Sequence, residues 1–386
     1  MKVLIFSDTI WPEGSGGHLA TYLYASLLRE EDIDVTVIAW RLQGEYRYPF
    51  KVIKVNNIGF GKYAFLFTNK IEKLLKESNI IYLTPEPLTL VPFMKKLGKP
   101  VVVHIHSYYP VCPIGHLYNF LHGQICNLSL RSCMECIWIY ESMRRSYTYT
   151  IASTLLNAKL GRIFAKHLHH ADAVIFVSNK QKKLFLENIK ETFDSRSYVI
   201  YNPIPSLKPL TMEEDGVGFF GGLDPIKGFS YLYEAWKNIY LKYPSNKKLH
   251  VALASQLPSK IERMGIIRHG RLSGSYYENV YMKIKTVAFP SISPEPSPYV
   301  VTEACLRGRM LIASNIGGVQ EITEGLKGII LVKPKDTKEL TEAIDWALSL
   351  DRSEILELGL KNREGILKKF NNSKLVKELI RIFEKC

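Results

Sequence analysis

The sequence predicts an α/β fold of two doubly wound domains, each a parallel sheet covered by helices, with a ligand cleft between them. Three observations carry that expectation. A chain of 386 residues exceeds the size at which one hydrophobic core stops growing, so it divides. Short apolar strand-like runs alternate with helix-periodic ones, the pattern of parallel sheets wound with helices. A stretch from Pro203 to Asp215, with three prolines between Pro203 and Pro209, reads as a linker between two such series.

The first series opens with KVLIFSDT, a strand, then GHLATYLYASLLREE, a helix, then VTVIAW. NIIYLTP and PVVVHIHS continue it, and ADAVIFVS and SYVIYNP close it. GVGFFGG starts the second series, followed by KLHVALA, NVYMKIKTVAFPS, RMLIASN and KGIILV. Helical periodicity then appears at Leu340, Ile344, Ala347 and Leu348, and again at Leu375, Leu379 and Ile382. The expected division is an N-terminal domain over 1–205, a second domain over 206–371, and a C-terminal helix over 372–386. No solenoid-period repeat or low-complexity tract interrupts it.

With 46% apolar and 23% charged residues the composition is that of a soluble globular protein. No apolar run approaches the ~20 residues that span a bilayer. MKVLIFSDT reads as a first strand rather than a signal peptide, so the expected location is the cytoplasm or the inner face of its membrane. The net charge of +14 suits phosphate-bearing substrates, an anionic membrane surface or nucleic acid. No helix-turn-helix, RNP or KH signature supports nucleic acid. Between Ile137 and His170, Arg144, Arg145, Lys159, Arg162 and Lys166 stand against one acid, Glu141, among interleaved aromatic and aliphatic residues. Such a segment either lies on anionic lipid or is a helix with a solvated basic face packed on its own domain.

The densest chemistry lies in SISPEPSPYVVTEACLRGRMLIASNIGGVQEI. VAFPS before it reads as a buried strand, Pro296 and Pro298 force a turn, and VVTEACLRG begins a helix. Glu295 then sits in the loop at the strand's carboxyl end, and Glu303 one to two turns into the helix. Backbone N–H groups near Pro298–Val301 are expected to be free for an anion, with Ser297, Pro298, Tyr299 and Val300 as donor-binding candidates. A carboxylate for hydroxyls, donors for phosphate and a second carboxylate for a ribose together make a nucleotide-sugar site. Upstream, Gly14, Gly16 and Gly17 precede a helix after the first strand, where glycine lets backbone approach a ligand. In GGLDPIKGFSYLYEAW, Lys227 falls near a helix start, where it reaches a diphosphate as a mobile point charge. His104 and His106 share one face of a strand, His106 nearer the carboxyl end where ligands bind in such sheets. His18 follows Gly17 and is a further candidate.

Other patterns are weaker or negative. Asp32-Ile33-Asp34 has the letters of a metal-binding D-x-D but lies between the first helix and the second strand, so it reads as a surface turn. No carboxylate pair at glycosidase geometry is evident. Cys112, Cys126, Cys133 and Cys136 fall within 25 residues. One C-x-x-C with two further cysteines suits a structural zinc site, with His116 and His122 as alternative ligands; disulfides and free thiols are the other readings.

Glu295-x7-Glu303 followed by Gly317-Gly318-Val319-Gln320-Glu321 resembles the family-4 glycosyltransferases, which have the GT-B fold of two facing Rossmann-like domains. The resemblance extends along almost the whole chain. It implies transfer from a nucleotide-diphosphate sugar to a hydroxyl acceptor, with retention of anomeric configuration and no obligatory metal. Under it Lys227 opposes the leaving diphosphate, Glu295 holds donor-sugar hydroxyls, and Glu303 holds the ribose. His106 fits the family's H-D position beside the donor sugar, although Ser107 replaces the aspartate. Gly16 and Gly17 match the loop facing donor phosphates and acceptor. The family pattern G-R-L-x-x-x-K-G appears as Gly221 to Gly228, so Gly222 stands where an arginine is usual, and Arg271 is a possible substitute cation. ALASQLPSK departs from the family's Gly-rich turn. Members of the family often glycosylate lipid-linked acceptors, some carry a similar cysteine set, and their last helix returns to the first domain. Alternative readings are a nucleotide-sugar epimerase, a phosphorylase, or a degenerate pair of domains serving as a sugar-binding scaffold.

Overall fold

Aliphatic and β-branched runs become the strands of two parallel sheets, one in each of two structural units. The structure, a computed structural model, describes residues 1–55, 69–84, 87–127, 130–189, 194–244, 247–252, 264–270 and 272–386. Of 69–70, 130–132 and 158–165 only the backbone is described. The first unit comprises Met1–Ile204 and Phe370–Cys386, the second Pro205–Lys369.

In the first unit the strands are β1 (Lys2–Ser7), β2 (Asp34–Ala39), β3 (Lys51–Lys54), β4 (Ile80–Leu83) and β5 (Val101–Ile105). A small antiparallel hairpin follows, β6 (Tyr118–Asn119) and β7 (Gln124–Ile125), then β8 (Ala173–Phe176) and β9 (Ser197–Val199). The main sheet runs β3-β2-β1-β4-β5-β8-β9, parallel throughout. Its helices are α1 (Gly16–Glu30), α2 (Asn69–Glu77), α3 (Val91–Lys96), α4 (Leu130–Ser142), α5 (Tyr147–His167) and α6 (Asn179–Glu187). Every residue of β4, β5 and β8 is buried, as expected of a parallel sheet covered on both faces.

The second unit contains β10 (Gly216–Phe219), α7 (Phe229–Lys242), β11 (Leu249–Val251), β12 (Ile266–Arg268), α8 (Gly274–Met282) and β13 (Ile284–Phe289). It continues with α9 (Tyr299–Leu306), β14 (Met310–Ser314), α10 (Val319–Thr323), β15 (Ile329–Val332), α11 (Thr337–Ser349) and α12 (Arg352–Lys369). Its parallel sheet runs β12-β11-β10-β13-β14-β15. Trp236, Ile239, Ile344 and Ala347 from α7 and α11 pack with Val217, Phe219 and Ile312 as one core. Asp336 starts α11 by accepting the Glu339 N–H at 3.0 Å, a side-chain N-cap.

The last helix, α13 (Asn372–Lys385), belongs to the first unit, where Leu379 and Phe383 pack with Tyr24 and Leu28. Asn372 pins its start by pairing with both the N–H and the C=O of Ile204, each at 2.9 Å. Asp32 has φ 58 and Ile33 is buried, so the D-x-D letters form a turn. The departure of ALASQLPSK from a Gly-rich turn falls largely outside the described residues. Among the described residues no helix is long and apolar enough to cross a membrane.

The stretch expected to be a linker is irregular but not slack. Arg309 is fully buried and spends its guanidinium on carbonyls: Tyr281 (3.0 Å), Leu210 (2.9 Å), Arg307 (3.1 Å), Gly308 (3.3 Å) and Thr211 (2.6 Å). Arg363 donates to the Leu207 carbonyl at 2.7 Å, and the Leu210 N–H to Arg307 at 3.2 Å. Backbone from Leu207 to Thr211 is thus part of the second unit rather than a tether. Replacing Arg309 by Met leaves these carbonyls buried without donors, so we expect a loss of about 3 kcal/mol by urea unfolding. Arg309→Lys, with one donor group in place of three nitrogens, should recover only part of it.

Candidate functional site

In the second unit the strand order reverses between β10 and β13, because the chain moves outward to β11 and β12 before returning. Open parallel sheets bind ligands at such a point, beyond the strand carboxyl ends. The loops after these two strands carry Lys227 and Glu295. Pro225–Lys227 forms one 3-10 turn capped by the Asp224 carboxylate, which accepts the Ile226 N–H at 3.3 Å. Gly228 follows with φ 74, and a Cβ there would lie 1.9 Å from the Pro290 carbonyl oxygen. Only glycine lets the two loops lie backbone on backbone. The Ile292 N–H then donates to the Ile226 carbonyl at 2.8 Å.

That packing brings Lys227 Nζ to 2.5 Å from Glu295 Oε1, with Ser291 Oγ 3.2 Å from the same oxygen. Gly317 and Gly318 support Glu295 from the other side. The Gly318 N–H donates to the Glu295 carbonyl at 2.8 Å, and a Cβ on Gly317 (φ 59) would fall 2.5 Å from that oxygen. Gly222 has φ 70 with open space around it. An arginine would have room there, but the left-handed backbone disfavours any side chain.

Glu303, on α9, is half-buried, and desolvation raises its carboxyl above the usual range despite Arg307 and Tyr277. Tyr277 donates to Oε2 at 3.0 Å, and Arg307 lies 3.5 Å from the same atom. The Arg307 guanidinium covers Tyr277 and Tyr281 at 5.0 and 4.6 Å, and Phe220 stacks on Tyr281 with centroids 4.6 Å apart. The sequence reading missed this aromatic group. Tyrosines four apart on one helix, Tyr277 and Tyr281, were the available signal. Pro298 caps α9 without a side-chain hydrogen bond, and Ser297, Tyr299 and Val300 are half-buried beside it. The Val301 N–H already donates to the Pro298 carbonyl at 3.2 Å, which corrects the expectation that it is available. Arg271, the possible substitute cation, lies outside the described residues.

In the first unit the order reverses between β1 and β4. Thr84 after β4 meets His106 Nε2 at 2.9 Å and Thr21 Oγ1 at 3.1 Å, while Thr21 donates to the Gly17 carbonyl at 3.0 Å. Proton bookkeeping sets the tautomer. Thr21 must donate to a carbonyl, so Thr84 donates to Thr21, and His106 therefore donates from Nε2. Burial, then His18, pushes the His106 imidazole down to about 3, so it is neutral. His104 stacks on it at 4.5 Å, and its Nδ1 lies 2.5 Å from the Tyr82 hydroxyl.

His18 accepts the Ser15 N–H at Nδ1 (2.9 Å) and donates from Nε2 to Asp8 Oδ1 (2.6 Å). Arg41 pairs with Asp8 Oδ2 at 3.1 Å. Burial raises the Asp8 carboxyl, but His18 and Arg41 outweigh it and the net direction is down. Asp8 was not singled out because it follows the first strand as an ordinary turn residue. Gly16 and Gly17 are the first residues of α1, whereas Gly14 (φ 93) is required by geometry, its Cβ falling 2.5 Å from the His18 ring.

The four clustered cysteines do converge: burial, then the other three, raises Cys126 to about 12. Burial likewise raises Cys136 to about 11, and its sulfur accepts the Phe120 N–H at 3.3 Å and donates to the Tyr118 carbonyl at 3.4 Å. Cys112, Cys126, Cys136, Cys305 and Cys386 are free thiols. Among the described residues no group of three or more His, Cys, Asp or Glu could hold a metal ion. The four sulfurs lie near one another without forming a ligand group in this arrangement, and zinc at Cys112, Cys126, Cys133 and Cys136 stays an expectation from their spacing.

Two family models match in tandem: Glycosyltransferase Family 4 over residues 15–206 and Glycosyl transferases group 1 over 214–349. On these matches the chain belongs to the glycosyltransferases built on the GT-B fold. An uncharacterised glycosyltransferase of Methanocaldococcus jannaschii is 29% identical over 146 residues, 36% of each chain, so the match spans little more than a third of that relative. Among solved structures, HepE of Anabaena in complex with UDP-glucose superposes with TM-score 0.69 at 17% identity over 100% of both chains. Sucrose-phosphate synthase of Thermosynechococcus elongatus gives 0.68 at 16%, over 100% of this chain and 98% of that one.

Neutral buried histidines have a consequence for stability. His104 and His106 have pKa values depressed by burial, as has His250, held at about 4 by burial and the facing His269. The unfolded chain titrates them near 6.5, so below that pH it binds more protons than the folded one. Their contribution is full above about pH 6.5 and is lost as pH falls towards the folded values. Urea unfolding should show stability declining already from about pH 6, and His106→Asn should flatten that slope by about 1.4 kcal/mol per pH unit.

Proposed function

We propose that the chain transfers a sugar from a nucleotide-diphosphate sugar to a hydroxyl acceptor, a glycan, a lipid-linked molecule or a small molecule, with retention of anomeric configuration. The observation that carries this reading is the Lys227–Glu295 pair at the strand-order reversal of the second unit. Lys227 keeps 27% of its side chain in solvent, where a ligand can reach it and draw it from Glu295. Lys227 then opposes charge on the departing diphosphate, and Glu295 turns to sugar hydroxyls and to the positive charge that develops on the sugar. Ser297, Tyr299 and Val300 offer the first turn of α9 to phosphate, and Gly222 lies in the loop that carries Lys227.

Glu303 suits the ribose. Both of its protein contacts fall on Oε2, which leaves Oε1 to accept a ribose hydroxyl. His106, neutral and fixed in tautomer, together with Gly16 and Gly17, is the candidate contribution of the first unit. The complex of HepE with UDP-glucose supports a uridine nucleotide as the first donor to try. A non-catalytic sugar-binding reading draws on Gly222 and on Ser107, which stand where the family has an arginine and an aspartate.

A thermal-shift panel of nucleoside diphosphates and their sugars tests the donor site. One base series should stabilise the wild type, by about 2.7 kcal/mol at a hundredfold excess over Kd, and should lose its effect in Lys227→Ala. No shift from any nucleotide at saturation would overturn the reading. With the active donor, Glu295→Gln should lower transfer at least about 100-fold while leaving nucleotide binding intact, and the product anomer read by NMR should match the donor. Binding without turnover in the wild type would favour the non-catalytic reading.

A further inference from the structure

The outward face of α5 is its apolar one. Thr150, Ser153 and Thr154 are buried; Ser153 donates to Glu141 Oε1 at 3.1 Å, and Asn157 to Ser153 at 2.8 Å. Tyr147 (71% exposed), Leu155 (59%), Leu156 (51%), Tyr149 and Ile151 stand in solvent instead. A helix on a water-soluble domain has the opposite arrangement. The patch continues onto α4 through Met134 and Trp138 and onto the intervening turn through Met143, all exposed. Trp138 meets Tyr147 edge to face at 5.8 Å, so the apolar faces of the two helices are joined.

The surrounding charge is basic. Arg144 and Arg145 occupy the turn, their guanidinium groups over Tyr140 and Tyr149 at 4.7 and 5.4 Å, and Lys166 is exposed at the end of α5. From Cys133 to Asn157 the acids are Glu141, buried against Ser153, and Glu135. The side chains of Lys159 and Arg162, named with this segment from the sequence, lie outside the described set.

We propose that the α4–α5 hairpin is a docking surface for an anionic phospholipid leaflet. Tryptophan and tyrosine rings with aliphatic neighbours favour the boundary between headgroups and acyl chains, and flanking arginines are drawn to negative headgroups. Neither helix is long and apolar enough to span, so the hairpin lies on the surface. A second copy of the chain would gain the same apolar burial but would set two basic turns against each other. The inference stands independently of the donor reading.

Co-sedimentation of the full chain with phosphatidylcholine vesicles, with and without phosphatidylglycerol, tests it. The chain should pellet with the anionic vesicles and be released by high salt. The triple variant Tyr147→Ser, Leu155→Ser, Leu156→Ser should bind about tenfold or more weakly, and Arg145→Gln should weaken binding and blunt its salt dependence. Because the replaced side chains are exposed, the thermal midpoint should not fall. Should the triple variant fail to fold, the wild type still decides: emission from Trp138, isolated as the difference from Trp138→Phe, should be quenched by brominated lipid. Equal sedimentation with and without anionic vesicles, absence of quenching, or a dimer in sedimentation velocity that dissociates in the triple variant would overturn the proposal.

Discussion

Backbone lies directly on backbone where Gly228 passes Pro290, and the proposed donor site depends on that contact. With any side chain at position 228 the loop after β10 would ride up off the loop after β13, taking Lys227 away from Glu295. Gly317 repeats the device against the backbone of Glu295 itself. Three short loops therefore meet without intervening side chains at the one place in the second sheet where strand order reverses. The glycines act through sterics rather than flexibility, since each close approach excludes alternative loop positions.

Much of this was legible in the sequence because parallel strands buried on both faces leave continuous apolar runs. Val101–Ile105 and Ile284–Phe289 are buried throughout, and both stood out as strands despite His104 and Lys285 within them. Glu295, Glu303, Lys227 and His106 were legible because each follows such a strand at its carboxyl end. Asp8 was hidden by its ordinary turn context, and the pairing with His18 depends on how Gly14 folds the intervening loop. Arg309 could not be anticipated either: its partners are carbonyls, which leave no trace in side-chain patterns. For the cysteines, spacing indicated proximity, and proximity is present, but ligand geometry depends on rotamers that spacing does not encode.

Periodicity misleads in one further way on α5. A helical repeat shows that polar and apolar residues occupy different faces, not which face is turned inward. Ser153 takes the inner side as a donor to Glu141, and Thr150 beside it returns its hydroxyl proton to the Ser146 carbonyl. A buried carboxylate without such partners would cost several kcal/mol, more than a few solvent-exposed aliphatic groups. The apolar residues are left outside as a consequence.

The same balance separates the two carboxylates of the donor side. Glu295 and Lys227 are partly exposed, 13% and 27% at their side chains, so water stabilises either charge when a ligand draws the pair apart. Glu303, at 14%, is as open as Glu295, but its partner Arg307 is enclosed at 6% against Tyr277 and Tyr281. Separating them would leave a buried charge uncompensated, a loss of about 3–5 kcal/mol that hydrogen bonds to a ribose could not offset. The two sites must therefore work differently. In the proposed transfer Lys227 and Glu295 exchange one partner for another, whereas Glu303 keeps its contacts on Oε2 and offers only Oε1. One carboxylate is a moving part and the other a fixed rest, a difference set by how far the paired cation is enclosed.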